Sequence, residues 1–233
     1  MKIKILYEDP NILVIDKPSG ISVHADGRSK EKTITNWVLK NYPKMENVGE
    51  PIGEVKRSGI VHRLDKETSG VLILAKNKKA HQFLKKQFIN REVKKIYHCV
   101  VSGFVKNDHG VINKPIGRSP KDFRRHLAGR GARGALREAI TEYKVLKRFI
   151  NKKEKFTYLE IKPKTGRTHQ IRVHMKFLNH PVVCDSLYSP GKPCPKGIKR
   201  LALHAKSIEF KNLNGKNIKL ESSLPLEFKK VIF

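Results

Sequence analysis

The sequence predicts an α+β fold with a mixed, mostly antiparallel sheet flanked by helices and loops. Three observations predict it. Short apolar runs bounded by turn residues recur along the chain. Helical periodicity interrupts them at three places, and strands and helices do not alternate with the regularity of a βαβ array. At 233 residues the chain can enclose one sizeable core, so a single domain over residues 1–233 is expected.

The opening residues read as two strands: residues 3–7, a Glu8-Asp9-Pro10-Asn11 turn, then apolar 12–15, closed by Lys17-Pro18-Ser19-Gly20. Ile34, Trp37, Val38 and Tyr42 fall at helical spacing behind a Thr33 cap. A second helix follows Asn77, with Ala80, Phe83, Leu84 and Phe88 as its stripe. Between these helices lie polar residues 59–70 and the apolar run 71–75. A polar loop between buried segments is where a scaffold usually displays its chemistry. Residues 95–101, 140–146 and 156–161 read as buried strands, and 168–178 as a helix with Ile171, Met175 and Leu178 inward. Residues 201–210 lead into a hairpin that turns at Asn214-Gly215.

Fifty Lys and Arg against 21 Asp and Glu give a formal charge of +29. Such an excess repels itself unless a polyanion neutralises it, which points to nucleic acid. The charge concentrates at about residues 117–137, where Arg118, Lys121, Arg124, Arg125, Arg130, Arg133 and Arg137 crowd together with Gly129, Gly131 and Gly134. Arginine offers a planar fork for phosphate and glycine frees the backbone, so a mobile RNA-gripping loop is the preferred reading over a merely solvated insertion. No apolar run approaches membrane-spanning length, and no membrane partner is expected. Cys99, Cys184 and Cys194 are odd in number and lack C-x-x-C spacing, which suits a reducing cytoplasm.

Cofactor and metal motifs do not emerge. No Gly-rich phosphate loop is present, His169 and His174 are five apart and do not share a helical face, and Cys184, Cys194, His180 and His204 match no compact zinc spacing. Scattered carboxylates also argue against a metal-dependent nuclease.

The segment His62-Arg63-Leu64-Asp65-Lys66-Glu67-Thr68-Ser69-Gly70 resembles the signature of the RluA family of pseudouridine synthases. Further similarity lies in Tyr7-Glu8-Asp9, Val14-Ile15-Asp16-Lys17-Pro18, Gly20, Val23 and His24. It continues through Lys95-Ile96-Tyr97, Lys114-Pro115-Ile116-Gly117-Arg118, the basic stretch Lys164-Thr165-Gly166-Arg167-Thr168-His169-Gln170-Ile171-Arg172-Val173-His174, and Leu203-His204-Ala205. Together these cover nearly the whole chain. Cys99 and Cys184 stand where the family more often has a small residue and glycine.

The resemblance implies the pseudouridine synthase fold around a basic cleft and conversion of uridine to pseudouridine in ribosomal or transfer RNA without a cofactor. It assigns Asp65 as the essential carboxylate, which would attack the uridine or abstract a sugar proton. Tyr97 would stack on the flipped base, and Arg172 would pair with Asp65 and keep it ionised, with Arg167 as the alternative partner. Arg63 would fill the space left by the extruded base, Leu203 would touch that base, and His62 belongs to the same substrate-binding motif. Arg118, Arg124 and Arg125 would hold RNA in the clamping loop. Plain structural roles remain open for Tyr97 as a core tyrosine, Leu203 as core, and Arg172 as a phosphate contact. The first residues already resemble the catalytic strands, so a stand-alone catalytic domain, monomeric by default, is expected. The competing reading is a non-catalytic RNA-binding or ribosome-assembly protein on the same fold.

Overall fold

The structure is a computed structural model that describes residues 1–25, 31–50, 58–129 and 131–233. In chain order its elements are β1 (Lys4–Glu8), β2 (Ile12–Lys17), α1 (Ile34–Asn41), β3 (Ser69–Ala75), α2 (Lys78–Ile89), β4 (Lys94–Ser102), β5 (His109–Asn113) and β6 (Ile116–Arg118). They continue with β7 (His126–Ala128), β8 (Arg133–Arg137), β9 (Ile140–Asn151), β10 (Glu154–Pro163), α3 (Gln170–Phe177), β11 (Leu203–Lys211), β12 (Asn217–Glu221) and α4 (Leu226–Ile232). The α+β class read from the sequence holds. Contacts divide the chain into two units: Met1–Lys94 with Ala205–Ser223, and Lys95–His204 with Leu224–Phe233.

In the first unit β1 pairs antiparallel with β2, and β2 with β3. β3 lies beside β11, which carries β12 as an antiparallel hairpin partner. Every residue of β3 is buried, which is why it reads as an unbroken apolar run. Gly70 is required there: its φ is +112°, and a Cβ would collide with the Ala205 backbone on β11. The helix starts follow the capping logic seen in the sequence. Thr33 and Asn36 form a reciprocal capping box on α1, and Asn77 caps α2 through Ala80 N. One α2 contact was not legible: Gln87 is buried because its amide exchanges two hydrogen bonds with the Lys211 backbone, 2.8 and 2.9 Å.

In the second unit the sheet order is β4-β10-β9-β5, with antiparallel neighbours throughout. Its core joins Cys99, Val101, Phe156, Leu159 and Ile161 to Ile171 and Met175 of α3 and Phe228 and Ile232 of α4. α4 escapes the sequence reading because seven residues with two buried side chains carry too little periodicity.

The arginine-rich region differs from the loop predicted over about 117–137. It forms a separate antiparallel three-stranded sheet of order β7-β6-β8. β8 is exposed along its whole length, so no apolar alternation announced it. This small sheet is rooted through Ile116 of β6, which clusters with Ala139, Val173 and Tyr188, and through Ala128 of β7, which packs against that cluster.

Candidate active site

Asp65 sits in the first unit in a tight turn, where its carbonyl accepts from Thr68 N at 3.1 Å. The turn is fastened from below by the Lys17-Pro18-Ser19-Gly20 segment. Lys17 has no exposed surface, although lysine is almost never fully buried. Its ammonium donates to the carbonyls of Pro18 and Ile21 at 2.8 Å and of Lys66 at 3.0 Å. Gly20 N also donates to Lys66 O at 2.9 Å, and Ser19 Oγ to Glu67 O at 2.6 Å. The backbone that follows the carboxylate is therefore held by charge-assisted bonds in a dry environment, where such bonds are strong.

Arg63 is exposed beside Asp65, whereas Leu64 between them is buried. His62 is half-buried and built into the unit: its Nε2 accepts from Ile73 N at 3.0 Å, and its ring stacks on Phe88 with centroids 4.7 Å apart. Accepting at Nε2 places the proton of the neutral ring on Nδ1.

The remaining candidates lie in the second unit. Tyr97 is half-buried on β4, opposite Ile161, and packs against the core. Leu203 is buried in the same core. Arg167 donates from Nε to Glu138 O at 2.9 Å. The stretch after it is fixed by Gln170, whose Oε1 accepts from Thr165 Oγ1 and Arg167 N, and whose Nε2 donates to Ile140 O and Thr141 Oγ1, all at 2.7–3.0 Å. His174, one turn along α3, bonds Thr141 Oγ1 and Lys114 O at 2.8 and 2.9 Å. Burial lowers its pKa from the usual histidine value, and the Lys114 carbonyl opposes that shift.

Arg172 has a partner that the sequence did not reveal. Its Nε and Nη2 donate to the two oxygens of buried Asp185 at 2.7 and 2.8 Å, a bidentate fork that fixes the guanidinium plane. The Tyr188 ring lies under that plane, 5.0 Å from centroid to Cζ. Asp185 is itself oriented by Leu187 N and Tyr188 N at 2.9 and 3.0 Å. The Tyr188 hydroxyl accepts from His126 N on β7 at 2.9 Å and lies 3.0 Å from His169 Nδ1 at the start of α3. One tyrosine thus ties Arg172, α3 and the arginine-rich sheet together. Nothing in the local pattern around Asp185 and Tyr188 signalled this, because the partners are 13 and 62 residues away in sequence.

Cys184, just before Asp185, has a φ of +56° and is joined by a disulfide to Cys194, closing the segment that carries Asp185 and Tyr188. Cys99 is free and buried. Among the described residues no group of three or more His, Cys, Asp or Glu side chains is arranged to hold a metal.

On the arginine-rich sheet Arg118 and Arg124 are exposed, and Arg125 is half-buried. Arg124 donates twice from its guanidinium to Asp122, at 2.9 and 3.1 Å, and Arg125 Nε lies 3.4 Å from the same carboxylate. The Arg124 fork, with help from its backbone N–H, holds the Asp122 carboxyl down at about 2. Arg130 lies outside the described residues. The first unit therefore brings His62, Arg63 and Asp65 into one loop. The second holds Tyr97, Arg118, Arg124, Arg125, Arg167, Arg172 and Leu203.

Comparison with known proteins matches residues 11–177 to the RNA pseudouridylate synthase family. The chain belongs to that family. The RluA-type resemblance carried by its motifs is borne out by its relatives. An RNA pseudouridine synthase of Aquifex aeolicus is 45% identical over 186 residues, 80% of this chain and 56% of the relative. The RNA pseudouridine synthase YlyB of Bacillus subtilis is 37% identical over 233 residues, all of this chain and 72% of the relative. The ribosomal large subunit pseudouridine synthase D of Neisseria meningitidis is 38% identical over 235 residues, 97% of this chain and 59% of the relative. This chain thus spans little more than half the length of two of these three. Among solved structures, human RNA pseudouridylate synthase domain containing 1 aligns with a TM-score of 0.77 at 25% identity, covering 96% of this chain and 84% of the human one. Human domain containing 4 aligns at 0.74 and 28% identity, covering 97% and 90%.

Proposed function

We propose that this chain isomerises uridine to pseudouridine in structured RNA, ribosomal or transfer, with Asp65 as its catalytic carboxylate and with residues 1–233 working as one catalytic domain. The observation that carries the reading is the fastening of the Asp65 turn by fully buried Lys17, because a preorganised carboxylate on a rigid base is what such chemistry needs. Family membership supports it, as does the name of the Neisseria relative, which points to large-subunit ribosomal RNA as the first substrate to try.

The target uridine leaves the stack, since its glycosidic bond and carbon 5 are poorly accessible inside a helix. Arg63 fills the vacated space, Tyr97 stacks on the flipped base, and Leu203 lines its apolar edge. His62 and Arg167 belong to the surrounding substrate contacts. Asp65 either attacks the uridine, in a bond that breaks again when the base rejoins, or takes a sugar proton that it later returns; the N1–C1′ bond breaks, the base turns, C5–C1′ forms, and the C5 proton leaves while N1 takes one up. Reactant and product are isomers, so the chain needs no cofactor. Arg172, already oriented by Asp185, serves as the cationic partner of Asp65. Arg118, Arg124 and Arg125 meet phosphates, with the cytoplasm as the compartment and a monomer as the working form.

Tritium release from RNA labelled at uridine carbon 5 tests this. Wild type should release tritium and Asp65→Asn should not, while RNA affinity stays within a few fold. Tight binding without release by wild type would leave the non-catalytic RNA binder as the reading.

A further inference from the structure

The hairpin formed by β6 and β7 carries an aromatic side chain at its tip that the site described above does not use. Phe123 is 77% exposed, whereas the Ile116 at the root of the same hairpin is 3% exposed. An aromatic ring left in water is unfavourable unless something covers it, and a lone exposed ring would by itself mean little. The tip around it is built, however. Arg125 N donates to Asp122 O at 2.9 Å and Ser119 N to Arg125 O at 3.0 Å, which close the turn. Lys121 N donates to Ser119 Oγ at 3.3 Å, and Arg124 N to Asp122 Oδ1 at 2.9 Å, the side-chain turn that aspartate favours. The Arg124 fork on Asp122 adds a lateral brace. Below it, three cross-strand pairs join β6 to β7, and His126 N donates to the Tyr188 hydroxyl, which ties the hairpin to the segment after α3.

The surroundings select the ligand class. Residues 117–137 carry seven Lys and Arg against one Asp, so the partner is a polyanion. A polyanion that also offers flat aromatic faces is nucleic acid, and only unpaired bases expose those faces, because a duplex stacks them inside. We infer that Phe123 is a stacking platform for an unpaired nucleobase of the bound RNA, in a loop, bulge or strand end, with the flanking arginines meeting its phosphates. The turn is preformed, so little chain entropy is lost when the base docks. The inference rests on the reading of this chain as an RNA-acting protein and adds a substrate feature to it: the RNA must present an unpaired base at the clamp.

The test compares wild type, Phe123→Leu and Phe123→Trp on two probes with equal numbers of phosphates, a hairpin with an unpaired loop and a blunt duplex. Phe123→Leu should weaken hairpin binding by about tenfold and duplex binding hardly at all. The salt slope should not change, since no phosphate contact is lost. Phe123→Trp should keep hairpin affinity and add indole quenching at saturation, over the signal of the native Trp37. Equal weakening on both probes, no weakening on either, or an indole that stays solvent-exposed when the hairpin is bound would overturn the platform. Tritium release on the same preparations separates the two ideas. Absent release means that the proposed chemistry is wrong, whereas release with no probe difference means that the stacking alone is wrong.

Discussion

The Asp65 turn and the arginine-rich sheet are both polar, both short of regular structure in the sequence, and both assigned to RNA, yet they are built oppositely. The first is tightened by a fully buried lysine on three carbonyls and by two further cross-segment bonds. The second is rooted at Ile116 and Tyr188 and otherwise open, with β8 exposed throughout. Breaking the Lys17 bonds in the first strands a buried ammonium. Breaking one in the second returns it to water. Placement of a reacting atom tolerates little slack, whereas phosphate gripping needs charge and reach.

That contrast can be broken in graded steps. The largest stability loss should come from Asp185→Ala, which removes the fork from a buried guanidinium and should cost about 4 kcal/mol in a urea titration. A loss under about 1 kcal/mol would mean that the fork does not hold Arg172. Next, Lys17→Met should cost roughly 3 kcal/mol, since the Pro18 and Ile21 carbonyls lose a charged donor, and turnover should fall further than RNA affinity. An equal fall in both would place Lys17 outside the positioning of Asp65. Changing Arg118, Arg124 and Arg125 to Gln together should leave the urea midpoint in place. It should weaken RNA binding roughly tenfold at low salt and flatten the salt slope by about one per arginine; a shifted midpoint would erase the distinction drawn above.

The smallest effect concerns His174. Burial holds its folded pKa below the ordinary value of 6.5, so its neutral form is the one the fold accommodates. The sign follows: this contribution is complete above pH 6.5 and is lost as pH falls below it, where the unfolded chain binds the proton more readily. Thermal unfolding between pH 7.5 and 5 should drop less in His174→Gln than in wild type.

The two regions also differ in how far the sequence exposed them. The apolar runs that became β2, β3, β4 and β10 were legible because burial leaves a continuous hydrophobic signature, whereas residues 140–146, read as a buried strand, do form part of β9 but bury only Thr141. Thr33 and Asn77 marked helix starts through their capping chemistry. The strands β6 to β8 were not legible, because β6 and β7 are only three residues long and β8 faces water throughout, which leaves no apolar alternation to read. Within the site, Asp65, Arg63 and His62 stood out as a motif, while the parts that hold the site were hidden. Lys17 looked like a turn residue, and Asp185 and Tyr188 like an ordinary loop, because their meaning lies in partners distant in sequence.

Lys17 also turns the Asp65 segment into something that can be watched. An amine with no exposed surface, bonded to three carbonyls, cannot meet an acylating reagent while the fold is closed, so its labelling rate measures how often this segment opens. Surface lysines would be modified within the first exposure and Lys17 last. Slowing of that last step by bound RNA would report, residue by residue and without any assay of the base itself, that substrate clamps the very backbone on which Asp65 is mounted.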